Sequence, residues 1–172
     1  KKLHEATDGV FDVGTGCSGT DVAILALQTC VDFWSECFGI KFLVRHRISC
    51  KQSDLKRRFI KAHMTPETLT VDLNDLAQPM AQDEDGQLTH ISKVLFWVCG
   101  IERDSISGLN RNSANHSTRV AAGKDNTGST AQACVAYLRE HQPSFFVLEN
   151  VKRLDMKCPS GEKTNLGALI SM

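Results

Sequence analysis

Val10-Phe11-Asp12-Val13-Gly14-Thr15-Gly16-Cys17-Ser18-Gly19 decides the fold. Its first four residues are a short, apolar strand candidate. The chain then turns through three glycines into residues 20–38, where Val22, Leu25, Ala26, Thr29, Cys30 and Phe33 follow the period of an amphipathic helix. Ser18 or Thr20 is placed to cap that helix, and Gly39 to end it. Residues 41–50 read as one strand or two short ones. Ser53-Asp54 caps a basic helix over 55–63, with Pro66 soon after. Residues 68–72 predict a third strand, and 82–87 an exposed acidic insertion. The continuous apolar run 94–98 suits a strand buried on both faces. A mainly polar loop over 100–129 leads to a helix over 130–141, which Pro143 stops. A fifth strand, 144–148, runs into Glu149-Asn150-Val151. Strands alternating with helices imply an α/β fold with a mainly parallel sheet covered on both faces. Ligands of such sheets bind beyond the carboxyl ends of the strands. The chemically interesting residues fall there: 14–19, Cys50-Lys51, Asp72, 100–107 and Glu149-Asn150.

Composition narrows the classes. A length of 172 residues favours one domain, and 41% hydrophobic with 23% charged residues argues against disorder, collagen or coiled coil. No apolar run is long enough for a membrane helix, and Lys1-Lys2-Leu3-His4-Glu5 has no apolar segment of a secretory signal behind it. Twenty Lys+Arg balance twenty Asp+Glu, which argues against a strongly basic nucleic-acid module. The basic stretch Arg45, Arg47, Lys56, Arg57, Arg58 and Lys61 reads first as a solvated face, with DNA phosphates as an alternative partner. Seven cysteines, an odd number without any Cys-x-x-Cys, read as small buried hydrophobes in a reducing compartment; Cys30 and Cys37 lie in apolar sequence and Cys99 ends another apolar run. With the six histidines scattered, no metal site is expected.

Gly14 and Gly16 after a strand allow a backbone to approach a ligand closely, and with Gly19 they also fit the Gly-x-Gly-x-x-Gly of dinucleotide sites. An acidic residue is wanted at the end of the second strand to hold ribose hydroxyls. Cys50-Lys51-Gln52 stands there, which weakens the NAD and the adenosyl readings alike.

Phe96-Trp97-Val98-Cys99-Gly100-Ile101-Glu102-Arg103-Asp104-Ser105-Ile106-Ser107-Gly108-Leu109-Asn110 resembles the catalytic loop of the cytosine-C5 DNA methyltransferases, where Gly-x-Pro-Cys-x-x-x-Ser follows the fourth strand. Ser144 to Val151 looks like their Glu-Asn-Val element, and Val13-Gly14-Thr15-Gly16 like their S-adenosylmethionine loop. The resemblance spans roughly residues 10–154 in the family's order. It implies a Rossmann-like class I S-adenosylmethionine-dependent methyltransferase core, S-adenosylmethionine as cofactor and DNA as partner. No membrane or metal is expected, and the location implied is intracellular, nucleus or cytoplasm. By the same resemblance Asp12, Val13, Gly14, Gly16, Lys51 and Asp72 face the cofactor. Glu149 contacts cytosine N3, Asn150 orients its loop, and Ser105 and Ser107 serve loop and phosphate contacts.

Three departures bear on activity. Glu102-Arg103 stands where the family has Pro-Cys, so Arg103 occupies the nucleophile position, and a guanidinium cannot add to cytosine C6. Cys99, four positions upstream at the strand end, is not expected to substitute for it. Lys51 stands where a Glu holds the ribose, and an ammonium accepts no hydrogen bond. The chain stops soon after the Glu-Asn-Val strand. The expected organisation is therefore a single truncated methyltransferase-like domain over 1–172 without a target-recognition region. The expected function is DNA cytosine-C5 methyl transfer, impaired or lost here. The alternatives are a non-catalytic scaffold on the same core and, more remotely, an NAD-type oxidoreductase fragment. Arg103 and Glu149, of opposite charge, are expected to contact each other and fill the base pocket.

Overall fold

The computed structural model describes residues 2–102, 123, 125–150, 155 and 164–171. After a short helix, α1 (Lys2–Ala6), come β1 (Val10–Gly16), α2 (Val22–Phe38), β2 (Leu43–Cys50), α3 (Asp54–His63) and β3 (Thr68–Thr70). A 3-10 turn (Asp75–Ala77) and the hairpin β4 (Met80–Gln82) and β5 (Leu88–His90) follow. The chain continues through β6 (Phe96–Gly100), α4 (Asp125–His141), β7 (Phe145–Glu149) and α5 (Asn165–Ile170).

The five strands expected from sequence form one sheet in the order β3-β2-β1-β6-β7. Every pairing in it is parallel. Each step from β1 to β3 moves outward on one side. The chain then returns across the sheet to place β6 against the other side of β1. This reversal leaves a crevice beyond the carboxyl ends of β1 and β6, the place where such sheets bind ligands.

The sheet is held by an unusual fit at its centre. Trp97 of β6 is fully buried, and its indole lies where β carbons on Gly14 and Gly16 of β1 would fall, 2.7 Å away in each case. Behind it Trp97 stacks on Tyr137 of α4, with ring centroids 3.8 Å apart. Ile48, Leu73, Leu76, Ile91 and Cys134 complete this core.

Several local expectations are corrected. Asp21, not Ser18 or Thr20, is the cap position of α2; it takes the left-handed conformation (φ 59°) and makes no side-chain capping bond. Its carboxylate is drawn inward instead, to Ser18 and Ser49. Gly39 does end the helix, at φ 65°, with the Gly39 and Ile40 amides donating to Ser35 and Trp34 carbonyls. Cys30 and Cys37 are exposed rather than buried, because α2 turns Ile24 and Val31 to the core. The acidic stretch 82–87 is the tip of the β4–β5 hairpin, and Glu84 within it turns back to Lys61 (2.5 Å) and Arg57 (3.8 Å) on α3. The fourth sheet strand starts at Phe96 and alternates in burial, with Trp97 and Cys99 inward. α4 begins at Asp125, five residues before the expected start, because a polar first turn hides the helical period there. The sheet is not covered on both faces throughout: Phe145, Phe146 and Val147 of β7 are 50%, 54% and 47% exposed.

Candidate functional site

The strand ends are tied together one residue beyond the sheet. The Cys17 amide donates to the Cys50 carbonyl and the Lys51 amide to that of Thr70, each at 3.0 Å. From α3, Arg57 Nη1 donates to the carbonyls of Lys51 (3.0 Å) and Gln52 (2.5 Å). On the other side the Ile101 amide donates to the Glu149 carbonyl (3.1 Å), and Asn150 Nδ2 to the Ile101 carbonyl (3.3 Å). Asn150 therefore joins the segment leaving β6 to the end of β7. Gly100 has to be small: a β carbon there would stand 2.9 Å from the Cys17 carbonyl oxygen and 3.6 Å from Glu149 Oε2.

These ties leave a cleft of about 640 Å³ beyond β1, β2, β6 and β7. Its walls are the loop Cys17–Gly19, the segment Lys51–Ser53 with Lys56 of α3, the end of β6 through Glu102, and Glu149. A second hollow of about 270 Å³ adjoins it, sharing Cys17, Gln52 and Glu102, and reaches Asp72 beyond β3 and the start of α4. Asp72 Oδ1 accepts from both the backbone amide and the side-chain amide of Asn74, each at 2.9 Å. The combined space lies in the range of small-molecule sites. Its chemistry is mixed: Lys51 and Lys56 suit an anionic group, Glu102 and Glu149 a cationic one, and Asp72 an amino or hydroxyl donor.

Of the residues singled out in the sequence, Lys51 and Glu149 line this cleft and Asp72 lines the adjoining hollow. Asp12 does not reach it. It lies early in β1 and is gripped by Arg45 of β2 through two bonds of 2.6 and 2.8 Å. Val13 is fully buried in the core. The space beside Gly14 and Gly16 holds the Trp97 indole, so the close approach these glycines allow is to a side chain of the same protein. Arg103, Ser105 and Ser107, and with them the expected Arg103–Glu149 contact, lie outside the described residues.

Cys17, Gln52, Ser53, Lys56 and Glu102 line the space without having been singled out as site residues. The signal was positional: each follows a strand end or starts the next helix, and although Cys17 and Glu102 lie within the glycine-rich stretch and the loop after β6, neither stretch gave them a role. Among the cysteines, Cys17 lines the cleft, and burial raises its thiol pKa, against the pull of Lys51. Cys99 is fully buried, and its hydrogen bond with Cys134, together with burial, pushes its thiol far up. Burial takes Cys50 up to about 12. Thiols so protonated are poor nucleophiles. The basic stretch is largely spent on carboxylates: Arg45 on Asp12, Arg47 on Glu67, Arg57 on Asp54 and Glu84, Arg58 on Asp54, and Lys61 on Glu84. Among the described residues no three His, Cys, Asp or Glu side chains gather as metal ligands would, and no helix is long and apolar enough to cross a membrane.

A mixed α/β fold on a mainly parallel five-stranded sheet in this order is consistent with a Rossmann-like methyltransferase core. Sequence comparison points the same way. Over 140 residues, 81% of this chain, the sequence is 27% identical to the DNA (cytosine-5-)-methyltransferase DMT5 of Cryptococcus neoformans var. grubii. The matched part spans 6% of that protein's length. No protein-family model matches the chain. The relationship supported is a distant one, to a cytosine-5 DNA methyltransferase, and it supports a methyltransferase-like function.

Proposed function

We propose that this chain is the cofactor-binding core of a DNA cytosine-C5 methyltransferase domain, and that as it stands it does not transfer methyl groups. The observation that carries this is the placing of Lys51 and Glu149 on one cleft, and of Asp72 on the hollow that adjoins it through Cys17, Gln52 and Glu102. The distant similarity to a cytosine-5 DNA methyltransferase supports it. The donor set fits S-adenosylmethionine in part. Asp72 and the Gln52 amide oxygen can accept from its adenosyl amino and hydroxyl groups, and the carboxylates of Glu102 and Glu149 suit its sulfonium charge. When bound, that cofactor supplies an electrophilic methyl group. Lys51 is the misfit, since it accepts no hydrogen bond from a ribose. Glu149 would hold a proton at cytosine N3, and Asn150 would fix the β6 segment beside it. Arg103 at the nucleophile position leaves no thiolate to add to C6. Work on DNA places such a protein in the nucleus or cytoplasm.

Two experiments test the reading. Calorimetry with S-adenosylhomocysteine is expected to give weak binding, and Lys51→Glu to tighten it roughly tenfold, the value of one restored hydrogen bond. Unchanged affinity would show that Lys51 does not face the ribose; NAD binding in its place would sink the methyltransferase reading. Incubation with tritiated S-adenosylmethionine and a fluorocytosine-containing duplex is expected to leave neither label nor adduct. An adduct at any residue would overturn the claim of inactivity. The second reading is a non-catalytic scaffold, favoured by the same Arg103. Intact folding with no affinity for the cofactor, even in Lys51→Glu, would select it.

A further inference from the structure

Asp21 is a charged residue with no role in the cleft's chemistry, yet it is 1% exposed and holds a left-handed backbone at the start of α2. Residues of its kind at this position usually cap the helix amides, and its side chain does not. Its two oxygens reach in different directions. Oδ1 accepts from Ser18 Oγ at 2.5 Å, and Ser18 belongs to the loop that walls the cleft. Oδ2 accepts from Ser49 Oγ at 2.5 Å, on the fully buried part of β2 two residues before Lys51. Oδ2 also stands 3.6 Å from His46 Nε2. The carboxylate thus bridges the two backbone segments that form adjacent walls of the cleft. Burying it costs solvation that a neutral side chain would not lose.

We propose that Asp21 is a positioning residue: its buried carboxylate holds the loop 17–20 against β2, and His46, on the same strand as Ser49, is the group whose protonation tightens that hold. The His46 ring makes the direction readable. Nδ1 lies 3.2 Å from the Met64 carbonyl, which only accepts, so Nδ1 carries a proton. Nε2 lies 3.2 Å from Thr15 Oγ1 and in the neutral ring accepts that hydroxyl. A second proton on Nε2 faces Asp21 Oδ2, which has a lone pair for it beside the one Ser49 uses, and so adds a charge-assisted tie to β2. The other ionisable groups on the elements around His46 are His63 at the end of α3 and Glu67 before β3, held by Arg47; Arg45 is taken up by Asp12. The proposal rests on the cofactor reading only for its ligand measurement.

The test uses the whole chain and Asp21→Ala, Asp21→Asn and His46→Gln, each checked for folding by near-UV circular dichroism. Hydrogen exchange of the amides of residues 17–20 is expected to quicken roughly tenfold in Asp21→Ala and less in Asp21→Asn, with β6 unchanged. Unaltered exchange at 17–20 in a folded variant overturns the positioning role. If Asp21→Ala does not fold, Asp21→Asn carries the comparison. In the unmutated chain, S-adenosylhomocysteine affinity is expected to rise as pH falls along the His46 titration followed by NMR, and to lose that step in His46→Gln. A step that persists in His46→Gln overturns the part given to His46. If no S-adenosylhomocysteine binds at any pH, the cofactor reading fails, and loop exchange followed over the same pH range still decides this proposal.

Discussion

Gly16 has no room for a methyl group. The Trp97 ring, its obstacle, is itself fixed between β1 and Tyr137, so it cannot swing away as a flexible side-chain end would. Gly16→Ala and Gly14→Ala are therefore expected to destabilise the fold by about 1–3 kcal/mol, the usual range for overpacking a tight core. Urea unfolding measures this, and Trp97→Leu should recover part of the loss by opening the space. His46 gives a second residue-scale expectation. Burial lowers its pKa in the folded chain, against the opposing pull of Asp21, from 6.5 in the unfolded chain. The unfolded chain thus takes up the proton more readily, and the contribution of neutral His46 is complete above about pH 6.5 and lost as pH falls below it. Thermal melts from pH 8 to pH 5 should show that loss, and His46→Gln should flatten it.

Elements here depend on residues at their ends more than on their middles. The last turn of α2 is closed by Gly39 in the left-handed conformation, with nothing within 4 Å of where a β carbon would stand. Gly39→Ala thus meets backbone strain alone, and a loss of about 1 kcal/mol is expected in denaturant unfolding. The other end of α2 is irregular, since Asp21 serves the loop and β2 rather than the helix amides. α3 is anchored at both ends: Arg57 holds the Lys51–Gln52 carbonyls while Lys61 reaches Glu84 on the hairpin. The first of these anchors shapes the cleft wall directly.

At the scale of the molecule, apolar side chains remain uncovered on β7 and along α2, where Val22, Leu25, Phe33 and Phe38 are exposed. Exposed strand edges and apolar patches promote association. The chain by itself is expected to self-associate as concentration rises. Light scattering should show it, and Phe146→Lys on the edge strand should reduce it without lowering the midpoint of unfolding.

Local pattern determined the five sheet strands, α2 and α3 and the end of α4, since each rests on apolar runs, period and breakers such as Gly39 and Pro143 that act within a few residues. It also marked Lys51, Asp72 and Glu149, because residues at the carboxyl ends of strands come to the same edge wherever a parallel sheet forms. Only the tertiary structure decided what Gly14 and Gly16 are beside, since Trp97 lies more than 80 residues further along the chain. The same holds for Asp12, whose charge is spent on Arg45 across a strand pairing, and for Asp21, which meets Ser49 and His46 of β2 from the start of α2. The three-residue strands of the β4–β5 hairpin were too short to show alternation, and Glu84 finds its partners on another element. A side chain's charge and shape are properties of the sequence, but its partner is set by which segments the sheet brings side by side.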